Sequence, residues 1–324
     1  MKFIKSVIAA GALLSVATGA LSQELVMYTS NPLPVVEKAQ ELVKDQLGAN
    51  LSVVSGGSST LLRRIEAEGA APAANLFWTS SVNAIASYEE YFEAYSSPEI
   101  EAMAPEFRYP GDKFQPSSIN VVAVMLNNDY LEGLERPTKW EDLAAPEWAG
   151  KIIMPNPESS STGYTIIWGL SKLLDKETYE KIIANTVIAE SARRVPQSVA
   201  AGEYVLGLTF EASPYDYVAN GSTEIEIIYP EDGTFNVVEY AGIIKNDNNL
   251  EAAKKAIDVI LSKQAQIEIL QTGYRRPTRM DVRVSDYLEL PEFSDIVIFQ
   301  VDEREAASAR EAFLAEWRAL PKSN

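Results

Sequence analysis

The stretch LSVVSGGSSTLLRRI, residues 51–65, holds the fold in miniature. Leu51, Val53 and Val54 form a short β-rich run that reads as a strand, and the Gly56-Gly57 pair ends it. Ser58 or Ser59 is placed to cap a helix over 60–68, in which Leu61, Leu62 and Ile65 share one face. The pattern repeats on either side. Residues 25–28 read as a strand, and 34–47 have helical spacing through Val35, Ala39, Leu42, Val43 and Leu47. Residues 76–78 are a third short apolar strand. A β-α-β-α-β order predicts a parallel sheet covered by helices.

A second unit begins near Ser118. Residues 119–126, 151–154, 204–210, 224–229 and 236–244 read as strands. Residues 140–143, 162–174, 177–185, 199–203, 249–261 and 264–272 read as helices. No repeat or long linker separates the units. The expected fold is therefore α/β, with two lobes joined by two crossing strands, 119–126 and 236–244. The expected division is 23–118 with 240–280 as the N-terminal lobe, 119–239 as the C-terminal lobe, and 281–324 as a helical segment packing on both. Such a hinge lets lobes close over a ligand, which in open α/β sheets sits at the carboxyl ends of strands beside helix N-termini.

The chain opens with the positive stretch MKFIK, then an uncharged, mostly apolar run from Ser6 to Ala20, then ALS before Gln23. That is the pattern of a cleaved secretory signal peptide over 1–22, and the apolar run is shorter than the ~20 residues a spanning helix needs. The expected mature protein is soluble and periplasmic. Cysteine and histidine are both absent. Their absence removes thiolate and Ser-His-Asp chemistry and His- or Cys-ligated metal sites, and no cofactor is expected. The formal charge of −18 repels nucleic acid and anionic lipid. An anion pocket must then work through local donors.

Five segments carry a family resemblance: VSGGSSTLLRRIEAE (54–68), NLFWTS (75–80), WEDLAAPEWAGKII (140–153), VAAGEYVLGLT (199–209) and IYPEDGT (228–234). In their order and spacing the mature chain resembles a family 1 extracellular solute-binding protein of the ABC-transport type. The branch is that of the ferric-ion, hexose-phosphate and 2-aminoethylphosphonate receptors. The resemblance implies a type II periplasmic binding protein fold, a monomer, and an ABC-transporter permease as partner. Ferric-binding relatives use an adjacent tyrosine pair on the segment that here reads FEASPYDY (210–217), where Tyr215 and Tyr217 are split by Asp216. That departure argues against ferric ion.

The candidate site lies in loops rich in hydroxyls and glycine. SGGSS (55–59) and TSS (79–81) each follow a strand and open a helix, and SSSTG (159–163) precedes a helix of the other lobe. Unpaired N–H groups at helix starts and neighbouring hydroxyls favour an oxyanion. The candidates are Ser30, Ser58, Ser59, Thr79, Ser80, Ser160, Ser161, Thr162, Gly163 and Thr209. Glu211, just past the 204–210 strand, is expected to hold a ligand ammonium or sugar hydroxyl. Tyr28, Trp78 and Tyr215 are expected to wall the pocket. The ligand expected first is 2-aminoethylphosphonate, then a hexose phosphate. A ferric-ion receptor and a secreted carboxylate-dependent hydrolase stand as alternatives.

Overall fold

The computed structural model describes residues 24–78, 81–246 and 248–323. The leader over 1–22, together with Thr79 and Ser80, lies outside the described residues. In chain order the elements begin with β1 (Glu24–Thr29), α1 (Leu33–Leu47), β2 (Asn50–Ser55), α2 (Ser58–Glu68), β3 (Leu76–Trp78), α3 (Val82–Ile85), β4 (Phe92–Glu93) and β5 (Gln115–Asn127). Next come β6 (Ile152–Pro155), α4 (Ser161–Leu173), α5 (Lys176–Asn185), β7 (Thr186–Ala189), α6 (Arg194–Ala200), β8 (Leu206–Phe210), α7 (Ala212–Ala219), β9 (Ile225–Ile228) and β10 (Asn236–Ile244). Then follow α8 (Leu250–Leu261), α9 (Lys263–Gly273) and α10 (Glu303–Ala319).

Strand order across the described sheet is β2-β1-β3-β10-β5-β8-β6-β7, with β4 added to β10 and β9 to β5. The first unit is parallel where β1 meets β2 and β3, as the β-α-β-α-β order requires. The long strand β5 belongs to both lobes. Its first half pairs with β10, and from Val122 onward it pairs with β8 and β9. All thirteen of its residues are buried, so it reads as an unbroken run rather than an alternating one. The protein is thus an α/β molecule of two lobes joined by two crossing strands, the type II periplasmic binding protein fold.

Each lobe has its own core. In the N-terminal lobe Val35, Ala39, Leu42 and Val43 of α1 pack with Ala253, Ile257 and Ile260 of α8. Gly48 closes α1 at φ 64, a backbone region that a side chain resists. The C-terminal lobe is built around Trp140, Trp168, Ile182 and Leu208, and α10 joins it through Ala306, Leu314 and Trp317.

The structure corrects two local expectations. Gly57, not Ser58 or Ser59, is the N-cap of α2, so both serines lie in the first helical turn. The helix expected over 199–203 runs from Arg194 to Ala200. Pro196 is tolerated there because first-turn N–H groups have no partner within the helix. Beyond Phe210 the chain enters α7 directly from β8.

Candidate functional site

Six segments from both lobes converge on one cavity. It is lined by Ser30 after β1, Ser58 opening α2, Ser81 before α3, Ser161 and Thr165 of α4, Phe210 ending β8, and Val237 and Glu239 of β10. The hydroxyls of Ser30 and Ser58 are 2.9 Å apart. Ser161 and Thr165 are four residues apart and so share a helix face. The cavity measures about 30 Å³, space for one or two water molecules. Residues of both lobes form its walls, so the lobes meet at this point.

The site's polar groups differ in what already occupies them. The N-cap of α2 is Gly57, which has no side chain to cap the helix. Ser160 caps α4 and accepts the N–H of Gly163 at 3.3 Å, so that hydroxyl serves its own helix. Gly163 is needed for packing: a Cβ there would lie 2.3 Å from the carbonyl oxygen of Pro155. By contrast, the buried Thr165 Oγ1 has no partner among the described residues. Neither do the side-chain nitrogens of Asn31, one residue past Ser30, or of Asn120 on β5. A buried polar group left unpaired costs about 1–3 kcal/mol, and of these three Thr165 lines the cavity.

Glu239 is the acid of the cleft. Ser118 Oγ donates to Oε2 at 2.9 Å, and Arg275 Nη1 lies 3.4 Å from Oε1. Arg275 also donates to Asn120 Oδ1, and its buried Nε has no partner among the described residues. The Glu239 and Arg275 side chains are 13% and 15% exposed. The charges of the pair cancel locally, and of the two it is Glu239 that lines the cavity beside the hydroxyls.

Of the residues singled out in the sequence, Ser30, Ser58 and Ser161 line this cavity. Ser59 is exposed in the first turn of α2, and Ser160, Thr162 and Gly163 form the α4 start behind Ser161. Thr209 is 2% exposed and pairs opposite Ala123, whereas its neighbour Phe210 faces the cleft.

Glu211 departs furthest from expectation. It is 1% exposed and held by Arg276 through both oxygens, the Nη2–Oε2 contact being 2.8 Å. Tyr229 donates to the same carboxylate, and Arg276 Nη1 donates to the Pro291 carbonyl at 2.7 Å. Burial and the Glu211 charge push the Tyr229 phenol far up, so it stays a donor. Glu211 is thus a saturated structural acid rather than a cleft acid.

The aromatic candidates are also engaged elsewhere. Tyr28 is fully buried and donates to Glu68 at 2.8 Å. Tyr215 packs with Leu270 and Val284 and accepts the N–H of Glu289 at 2.9 Å. The Trp78 indole donates to Ser117 Oγ at 3.0 Å.

Sequence reasoning placed Ser81 in its 79–81 candidate loop without naming it as a contact, and missed Thr165, Phe210, Val237 and Glu239. Two had a signal. Thr165 repeats Ser161 at helical spacing, and Glu239 repeats Val237 at strand spacing. Nothing in the sequence places Phe210 in preference to Thr209.

Residues 70–295 match the family described as bacterial extracellular solute-binding protein. The Iron uptake protein A1 of Synechocystis is 26% identical over 278 residues, covering 79% of this chain and 76% of that protein. A Salmonella typhi protein named "Putative 2-aminoethylphosphonate-binding periplasmic protein" is 22% identical over 261 residues, covering 74% and 72%. Among solved structures, the periplasmic binding protein AfuA of Actinobacillus pleuropneumoniae, with fructose-6-phosphate bound, superposes with a TM-score of 0.80 at 24% identity. That match covers 92% of this chain and 98% of AfuA. Among the described residues no helix is long and apolar enough to cross a membrane. With its two lobes meeting over a polar cleft and a family match spanning most of its length, the chain belongs to the bacterial extracellular solute-binding proteins.

Proposed function

We propose that this protein is the periplasmic receptor of an ABC importer and captures a small phosphorus-bearing anion in the interlobe cleft. 2-Aminoethylphosphonate stands first and a hexose phosphate second, and the partner after capture is the importer's permease. One observation carries the reading: hydroxyls at helix starts of both lobes, Ser58 and Ser161, share one cavity with Ser30, Ser81, Thr165 and the carboxylate of Glu239. Helix starts and hydroxyls donate to a tetrahedral oxyanion without carrying charge of their own. Glu239 takes the place first assigned to Glu211 and receives the ligand's ammonium or hydroxyl. At about 30 Å³ the cavity is smaller than either solute, so either one would enter with the lobes further apart.

A ferric site of the kind the resemblance implies uses a tyrosine pair as phenolates. Burial and the hydrogen bond to Glu68 push the Tyr28 phenol up to about 12, and the Tyr215 hydroxyl lies against the backbone of Glu289.

Calorimetric titration with 2-aminoethylphosphonate, ethylphosphonate, a hexose phosphate and chelated ferric ion tests the reading. 2-Aminoethylphosphonate is expected to bind. Ser161→Ala should weaken it about tenfold or more, since a hydrogen bond to a charged group is worth about 1.5–3 kcal/mol. Glu239→Gln should weaken the aminated phosphonate far more than ethylphosphonate. Tight ferric binding with no response to any phosphorus compound would sink the proposal, and equal loss for both phosphonates in the Glu239 variant would remove the amine role.

A further inference from the structure

The last helix spans the two lobes. α10 is anchored on the C-terminal lobe, where Tyr164 donates to the Ala306 carbonyl at 2.6 Å and the Phe313 ring meets Trp168 at 5.0 Å. The Arg310 guanidinium lies 4.1 Å over the Tyr164 ring, and Lys172 pairs with Glu305 at 2.7 Å. Asp302 caps the helix by accepting the N–H groups of Arg304 and Glu305. Glu303, the first helical residue, turns away from its own helix and toward the other lobe.

The Glu303 carboxylate accepts the N–H of Asn83 at 3.4 Å. The Ser81 hydroxyl and the backbone of Val82 and Val238 also bond to it. Ser81 lines the cleft, and Val238 lies between the cleft residues Val237 and Glu239. A side chain carried by one lobe thus supports the opposite wall of the cleft from behind.

We propose that Glu303 is a positioning residue whose seat behind Ser81 forms when the lobes close, so that capture of solute takes up a proton. The proposal rests on reading the cleft as the solute site. Burial raises this carboxyl to about 7 in the closed arrangement, against the opposing effect of its backbone donors.

The charged and titratable groups around it do not reverse that. Asp302 is its neighbour on the same helix, and Arg304 is engaged by Glu89 at 3.5 Å and by the Tyr109 ring. On β10, Tyr240 is pushed up by its burial and by Glu303. Glu106 and Arg108 line the same recess, and Arg108 reaches toward Glu101 at 3.9 Å.

With the lobes apart, an exposed Glu303 returns to the ordinary carboxylate value of about 4.3. The closed form then holds the proton more tightly. Closure takes up a proton between roughly pH 5 and 7, and affinity rises as pH falls through that window.

The test is calorimetry with 2-aminoethylphosphonate at pH 6 in buffers of different ionisation enthalpy, on the wild type and on Glu303→Gln. The amide keeps an acceptor for the Asn83 N–H but cannot titrate. The wild type is expected to take up about one proton per solute more than the variant, and the variant's affinity should lose that part of its pH dependence. Equal proton uptake in both proteins overturns the proposal. Absence of binding in both overturns the cleft reading on which it rests. Should the variant not fold, ¹³C-glutamate NMR of the wild type decides. A carboxyl titrating near pH 7 only in the solute-saturated protein supports the proposal, and its absence overturns it.

Discussion

Glu211 shows how far one side chain's role depends on its surroundings. A strand-end acid in a receptor's chain reads as a ligand contact, yet here it neutralises the fully buried Arg276. Removing one partner of a buried pair strands the other charge, at a cost of about 3–5 kcal/mol. Glu211→Ala is therefore expected to lower the midpoint of urea unfolding sharply. Its refolded fraction should keep the wild-type preference between aminated and non-aminated phosphonates. A stable variant with altered preference would return Glu211 to the ligand site. The acid that does face the cleft, Glu239, was legible only as the strand partner of Val237. Its contact with Ser118 joins residues 121 positions apart in sequence, and its contact with Arg275 joins residues 36 apart.

Among the elements, α4 shows most plainly how packing sets a site. Its start is held against the end of β6 by Gly163, which leaves no room for a Cβ beside the Pro155 carbonyl. Ser160 then caps the helix, and Ser161 and Thr165 face the cleft. Gly163→Ala must push the helix start outward. It is expected to destabilise by about 1–3 kcal/mol, as overpacking does, and to weaken solute binding more than Ser59→Ala, which alters an exposed first-turn hydroxyl. Equal binding by the two variants would show that the position of the α4 start does not matter to the site. The hydroxyl-rich loops were legible in sequence because serine and glycine cluster at helix starts for stated reasons. Which hydroxyl caps a helix and which faces the cleft was not legible, because that depends on the rotation of each helix about its axis.

At the scale of the whole molecule, two strands and α10 connect the lobes. The small cavity describes a closed arrangement, so a solute must enter with the lobes apart. Small-angle scattering is expected to give a larger radius of gyration without solute than with it, and a ligand-free value equal to the saturated one would argue against closure on capture. The buried Glu211–Arg276 pair ties the loop after α9, which meets β5 through the Ile119–Arg276 bridge, to the start of α7. It sits where β5 passes from one sheet half to the other, so a desolvated ion pair holds the strand crossing between the lobes.

The amino-acid sequence by itself determined the α/β class, the two units and their crossing strands, because hydrophobic periodicity and glycine breaks act locally and are written along the chain. It also excluded cysteine and histidine chemistry outright, since neither residue is present. Only the tertiary structure decided which polar groups are spoken for. Glu211 and Tyr28 are consumed by Arg276 and Glu68 away from the cleft, Glu239 and Ser81 line the cleft while bonded to Arg275 and Glu303, and Thr165 lines it with its hydroxyl unpaired among the described residues. The physical reason is that the availability of a charge or hydroxyl depends on its partners. Those partners come from parts of the chain that only the folded lobes bring together.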